Sequence, residues 1–275
     1  MTDWIEEDIL VTVRAYPTPS QKHVETSCVA GLTVSGEARR LFPIPDRYLE
    51  QESKFRKFEV VRVRVGHSSD PRPESRKVDI DHGIRVVERY FVGSRADWPR
   101  RNIAVEAMRA RSMEELSITA GKVSTSRSLA LVRPREIVKL EISKLTQTEW
   151  SEKQRAKLAQ LSMLSLGRTS PLEFIPYKFF YHFLCDDDRC IRPHRLSVVD
   201  WEMSESYRKW SKQYGNDWRD KFRQKYEGQL LNADLQFFVG TISDHPMNWL
   251  IVGLYYPPKH AKPLQVPNRQ TSLFD

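Results

Sequence analysis

Two of the three cysteines and two of the seven histidines of this chain fall in one short window, His182-x2-Cys185-x4-Cys190-x3-His194. Thiolate and imidazole are the ligands zinc prefers, and a tight turn between two strands can bring donors a few residues apart into one tetrahedron. Cys185, Cys190 and His194 form the stronger trio. His182 stands three positions before Cys185, so on a strand the two side chains point to opposite faces unless the strand bends or ends between them. The fourth position is open to His182, to one of Asp186, Asp187 and Asp188, or to a distant residue such as His245. A closed set of Cys and His ligands fits a structural zinc, since catalytic sites keep a position for water. The competing account is two reduced cysteines packed as small apolar residues beside an acidic turn.

Asp200 and Glu202, in Asp200-Trp201-Glu202, are a second pair with chemical potential. On one face of a strand end they could hold a hard cation, as the carboxylates of a metal-dependent nuclease do. At a helix start they would instead answer the helix dipole. Motifs for phosphate-binding loops, dinucleotide sites, zinc proteases and serine hydrolases are absent from the sequence, which disfavours those chemistries. The His-x-Glu with Pro-Cys-x-x-Cys of zinc deaminases is missing too.

The formal charge of the 275-residue chain is +8, so its field attracts polyanions, with nucleic acid, DNA first, the leading candidate. Arg39, Arg40, Arg47, Arg72, Arg76, Lys77, Arg100 and Arg101 are the expected contacts, placed on strands, loops and one helix of the N-terminal half. A second basic stripe interleaves Tyr207, Trp210, Tyr214, Trp218, Phe222 and Tyr226 with Arg208, Lys209, Lys212, Arg219, Lys221, Arg223 and Lys225. Such a series can stack bases, but its spacing of three and four fits better the core face of a helix pair with a solvated basic back. A protein-interaction module, its basicity serving solubility or an acidic partner, is the alternative to nucleic-acid binding.

The elements that must position these residues divide into two units. Residues 8–14, 25–34, 76–80, 84–92, 127–132 and 137–143 read as short strands, and Phe58 to Val65 alternates strictly, with Val61, Val63 and Val65 opposite Arg62 and Arg64. Trp98 to Met113 reads as a helix, and a small barrel would close so many short strands. The expectation is an α+β chain: a β-rich, barrel-like and OB-type unit over 1–145, an α+β unit over 146–260 that carries the metal-bound turn, and a tail over 261–275. Thr146/Glu149 and Ser151/Gln154 both fit a capping box for a helix running to Met163. Strands at Tyr177 to Leu184 and Arg195 to Trp201, two helices between Met203 and Tyr226, and a terminal hairpin over Leu235 to Tyr256 follow. Three cysteines, no secretory leader pattern and no apolar run of spanning length predict a cytoplasmic protein with no membrane partner.

Tyr16-Pro17-Thr18-Pro19-Ser20, Cys28-Val29-Ala30-Gly31, Arg40-Leu41-Phe42-Pro43-Ile44-Pro45 and Asp70-Pro71-Arg72-Pro73-Glu74-Ser75 resemble an uncharacterised family of bacterial proteins. The Cys185-x4-Cys190 segment, Asp200-Trp201-Glu202 and Phe237-Phe238-Val239-Gly240-Thr241 carry the same resemblance. It implies an association with mobile elements or phage defence, and other protein subunits of a multi-component system as partners. The Cys-Ala-Gly stretch followed by Gly36 and Arg39 is also similar to the opening of bacterial dual OB-type domains, with Ala38 where a tryptophan is usual.

Overall fold

The computed structural model describes residues 3–20, 24–89, 97–119, 126–164, 172–243, 245 and 247–259; the expected tail at 261–275 lies outside them. The N-terminal strands are β1 (Ile5–Arg14), β2 (Thr18–Ser20), β3 (Val24–Thr33), β4 (Ala38–Ile44), β5 (Glu59–His67), β6 (Ser75–Val78) and β7 (Ile84–Arg89). They are joined in the order β1-β3-β4-β6-β5, and β5 pairs back to β1, so five strands close a barrel. β7 adds to β5 and β2 to β3. All pairings are antiparallel except β4 with β6.

The alternation of β5 is realised as read. Val61, Val63 and Val65 fill the barrel with Ile9, Val11, Val29 and Leu41, while Arg62 turns outward and donates to Asp8 at 2.7 Å. The glycine of the Cys-Val-Ala-Gly stretch has a steric reason. A Cβ on Gly31 would stand 2.2 Å from the Leu10 carbonyl oxygen and 2.7 Å from Ile9 Cγ2, beside the bulge where β1 shifts register between Val11 and Val13.

The second sheet contains β8 (Arg109–Ala110), β9 (Leu129–Val132), β10 (Pro134–Lys144), β11 (Tyr177–Cys185), β12 (His194–Val198), β13 (Gln236–Thr241) and β14 (Trp249–Tyr255). Its order is β10-β11-β12-β14-β13-β9-β8. The helices are α1 (Asp97–Glu106), α2 (Met113–Thr119), α3 (Glu152–Leu164), α4 (Trp201–Tyr214) and α5 (Trp218–Arg223), the last prolonged by a π turn over Gln224–Gln229. The capping box at Ser151 is formed: Ser151 N donates to Gln154 Oε1 at 3.0 Å, and Gln154 N to Ser151 Oγ at 3.3 Å. The helix expected over Trp98 to Met113 ends at Glu106; β8 follows to pair with β9, and a separate helix, α2, begins at Met113.

β13 explains how the layers stack. Every residue of Gln236–Thr241 is buried, which is expected of a strand covered on both faces. Phe237 and Val239 join the core under α4 and α5. Phe238 faces the other way, into a core shared with Leu10, Ala30 and Leu32 of the barrel. The order is barrel, sheet, helices, with α1 and Met108 filling the seam between the first two. Two strands expected in the N-terminal unit, near 127–132 and 137–143, are therefore β9 and β10 of the second sheet. The change of sheet falls between β7 and β8, ahead of residue 146.

Candidate metal centre

β11 alternates as a half-buried strand should: Phe179, Tyr181, Phe183 and Cys185 face the core. The chain then turns through residues 186–193, and Asp187 folds that turn. Its carboxylate accepts from Arg189 N at 3.1 Å and from Ser112 Oγ at 2.7 Å, while its carbonyl accepts from Cys190 N at 2.9 Å. Short polar side chains stabilise turns in this way. Cys190 is thereby returned to the end of β11, where its Sγ accepts from Cys185 N at 3.2 Å. His194 opens β12 in register with Phe183, so its ring lies on the same face, 5.4 Å from the Phe183 ring.

The fourth donor comes from far away in sequence. Glu114 stands in the first turn of α2, which docks through Met113 N donating to Cys185 Sγ at 3.4 Å. The Nε2 atom of His194 lies 2.8 Å from Glu114 Oε1 and 3.4 Å from Cys190 Sγ. One donor atom from each of Glu114, Cys185, Cys190 and His194 falls within 4.8 Å of all the others. A tetrahedral ion with metal–sulfur bonds of about 2.3 Å spaces its donors roughly 3.3–3.8 Å apart, so a contraction of about 1 Å at the widest pair would close the shell. The four residues could hold a metal ion.

The electrostatics suit that role. Burial pushes the Cys185 thiol up to about 12 and raises Cys190 as well, so both are protonated at neutral pH unless a cation takes the proton's place. Burial would also raise the Glu114 carboxyl, but its own backbone N–H, the Cys190 thiol and the His194 ring outweigh that and hold it below its ordinary value. One acceptor-only carboxylate is thus already charged beside two thiols and an imidazole.

Two expectations about ligands are corrected. His182 belongs to the outward face of β11, where its Nε2 lies 2.7 Å from Glu141, so strand alternation removes it from the cluster. Asp187 serves the turn, and Asp186 and Asp188 are exposed. Glu114 carries no spacing signal, standing 80 positions before His194. The sequence mark that could have drawn attention to it is the Ser112-Met113-Glu114-Glu115 helix start, where Ser112 Oγ accepts from Glu115 N at 3.1 Å.

A family model described as Domain of unknown function (DUF8757) matches residues 109–275, the greater part of the chain. The chain belongs to that family. All four cluster residues lie in the DUF8757 region, which begins at the first residue of β8, where the second sheet starts. A second model, Domain of unknown function (DUF8758), matches residues 5–107 and so covers the barrel. No curated protein matches the sequence. Among the described residues no helix is long and apolar enough to cross a membrane.

Asp200 and Glu202, also in the DUF8757 region, sit at the start of α4, and Asp200 is its N-cap, accepting from Met203 N at 3.1 Å. The other Asp200 oxygen accepts from Lys57 Nζ at 3.1 Å and Leu254 N at 3.2 Å. With 1% exposure and both oxygens engaged, Asp200 has no lone pair turned to solvent as a nuclease metal ligand would need. Burial pulls Lys57 down, but Asp200 and Glu202 outweigh it and hold the ammonium above its ordinary value.

Most of the expected phosphate contacts serve the fold. Arg39 is buried and donates to Glu7 at 2.8 Å and Glu37 at 2.7 Å. Arg40, 4% exposed, donates to the Ser128 carbonyl at 3.1 Å and reaches Cys28 Sγ at 3.4 Å. Arg72 is clamped between Asp70 and the Thr241 carbonyl. Arg101 is buried with its guanidinium 4.8 Å from the Phe58 ring centre and 5.1 Å from that of Trp98. Arg76 donates to the Pro73 and Ser75 carbonyls, Arg100 reaches Glu88 at 3.4 Å, and Arg47 is half-buried. Lys77 is exposed, 5.7 Å from the Trp4 ring centre. In the aromatic series Trp218, Phe222 and Tyr226 are core residues, as their helical spacing predicts.

Proposed function

We propose that this chain is a DNA-binding accessory protein in which Glu114, Cys185, Cys190 and His194 hold a structural zinc ion. The surplus of positive charge that internal pairing leaves at the surface carries the nucleic-acid half. Lys77, Arg135, Lys139, Lys209 and Lys221 are exposed and have no carboxylate partner among the described residues, in a chain whose formal charge is +8. Cations of this kind displace the counterions of a polyanion.

For the ion, two sulfur donors favour zinc over the hard cations magnesium and calcium. Four protein donors fill a tetrahedral shell and leave no place for a reacting water, which favours a structural role. Such an ion would tie α2 to the β11–β12 turn. The barrel supports an OB-type assignment as well. Numbering β1, β3, β4, β5 and β6 as its five strands, they run first, second, third, fifth, fourth and back to first, a Greek-key closure of the kind used for oligonucleotide recognition.

Fluorescence anisotropy with labelled DNA across a salt series tests the nucleic-acid reading. Binding at low salt with a linear loss of log affinity against log salt is expected. Undetectable binding to both single-stranded and duplex DNA at low salt would refute it.

A further inference from the structure

In an OB barrel the usual ligand face is that of the second and third strands with two flanking loops; here those strands are β3 and β4. That face is covered. Arg40 of β4 donates to Ser128, the β5–β6 loop inserts Arg72 onto the Thr241 carbonyl, and the loop after β1 is held by Tyr16 N donating to the Val199 carbonyl at 2.9 Å. A strand bound by this molecule must lie elsewhere.

An open cleft of about 730 Å³ lies where the barrel, α1 and the start of α4 meet the end of β14, within the range of roughly 300–1,000 Å³ typical of ligand sites. Arg14, Arg56, Lys57, Arg101, Lys209 and Lys225 line it, against two carboxylates, Glu202 and Glu205. Internal pairing consumes part of this charge: Lys57 is met by Asp200 and Glu202, Arg14 by Asp46, and Glu205 by Arg208. Arg56, Lys209 and Lys225 have no carboxylate partner among the described residues. Burial holds the Lys225 ammonium down, with Glu202 and Asp200 opposing, and an anion in the cleft would favour its charged form.

The same walls carry three of the seven tryptophans of the chain, each half-buried and each beside a cation. Arg14 lies 4.9 Å from the ring centre of Trp201, Arg101 5.1 Å from that of Trp98, and Lys225 5.7 Å from that of Trp210. Aromatic faces interleaved with cations are how single strands are held, bases stacking while phosphates pair. A duplex keeps its base faces inside and would offer these rings no base to stack on.

We infer that this cleft binds single-stranded nucleic acid, stacking bases on Trp98, Trp201 and Trp210 and pairing phosphates with Arg56, Lys209 and Lys225. The assignment rests on the nucleic-acid reading above and names its site and strand form. Anisotropy of the full chain with a labelled oligothymidylate and with a duplex of equal length decides it. Single-strand binding should be the tighter. The exposed pair Arg56→Glu with Lys209→Glu should weaken it by about tenfold or more and reduce the salt slope by about 0.7 for each phosphate no longer neutralised. Lys144→Glu with Lys178→Glu, an equal charge change at exposed positions of β10 and β11 outside the cleft, should weaken it much less. Trp210→Ala should cost about 5- to 150-fold, the range of one stacking platform; if that variant does not fold, the exposed pair decides alone. Equal weakening in the two charge-reversal variants, or a preference for duplex, would overturn the cleft while leaving DNA binding intact. No binding to either form would remove both.

Discussion

Replacing Lys57 by Met would test how the barrel and the second sheet are fastened. Lys57 precedes β5, and its ammonium donates to Asp200 at 3.1 Å, to the Leu254 carbonyl at 3.4 Å, and lies 3.3 Å from Glu202. The side chains of the Lys57–Asp200 pair are 8% and 0% exposed, and Asp200 also bridges to Ala15 at the end of β1. Methionine keeps most of the volume and removes the charge, so Asp200, whose carboxyl burial already holds above its ordinary value, is left buried with two backbone N–H donors and no counter-charge. Breaking a buried pair from one side costs about 3–5 kcal/mol, which for a chain of this size lowers Tm by about 5–9 °C. Urea and thermal unfolding followed by circular dichroism would read the change. The double variant Lys57→Met with Asp200→Asn should cost less than the sum of its parts, with a coupling of about 1 kcal/mol or more. A destabilisation below about 1 kcal/mol for Lys57→Met would mean that the pair behaves as an exposed one and would refute the reading of a buried fastening.

Other expectations are as direct. Gly31→Ala drives a methyl into the Leu10 carbonyl and should destabilise by about 1–3 kcal/mol or more, read as a reduced soluble yield or a lowered urea midpoint. Glu173 is held at about 2, against an ordinary 4.5, first by its hydrogen bond from Arg208 and then by Lys212. A carboxyl lowered on folding contributes stability that is full above its unfolded value and is lost as pH falls through its folded one. The acid limb of stability between about pH 4.5 and 2 should therefore flatten in Glu173→Gln, measured by urea midpoints over that range. His182→Ala should leave bound metal unchanged and remove only the pairing with Glu141, whereas Cys190→Ser should abolish metal binding, read by elemental analysis of the purified variants.

Local regularities were legible in the sequence. The alternation of Val61, Val63 and Val65, the Ser151–Gln154 capping box, and the helical spacing that buries Trp218, Phe222 and Tyr226 each express a period of the backbone. Alternation along β11 also separates His182 from Cys185, and three members of the candidate metal cluster share one turn. What could not be read depends on segments distant in sequence. Glu114 reaches the cluster because α2 packs on the end of β11. The Arg40 and Arg72 guanidinium groups donate to the carbonyls of Ser128 and Thr241, 88 and 169 positions away, and a carbonyl acceptor leaves no trace in residue type. Nor does composition tell that the second sheet covers the outer face of the barrel. That burial is why basic residues that look free on a strand or loop are structural, and why the cations left in the cleft come from both halves of the chain.

The central claim is a metal ion held by Glu114, Cys185, Cys190 and His194. Its most direct test is elemental analysis of the purified full-length chain, made alongside a Glu114→Ala variant that keeps both cysteines. The wild type should carry one zinc ion per chain, and the variant should hold it more weakly and release it first to a chelator. A metal-free wild type whose two buried thiols react only on unfolding, or a zinc content and chelator resistance that Glu114→Ala leaves unchanged, would contradict the four-donor site.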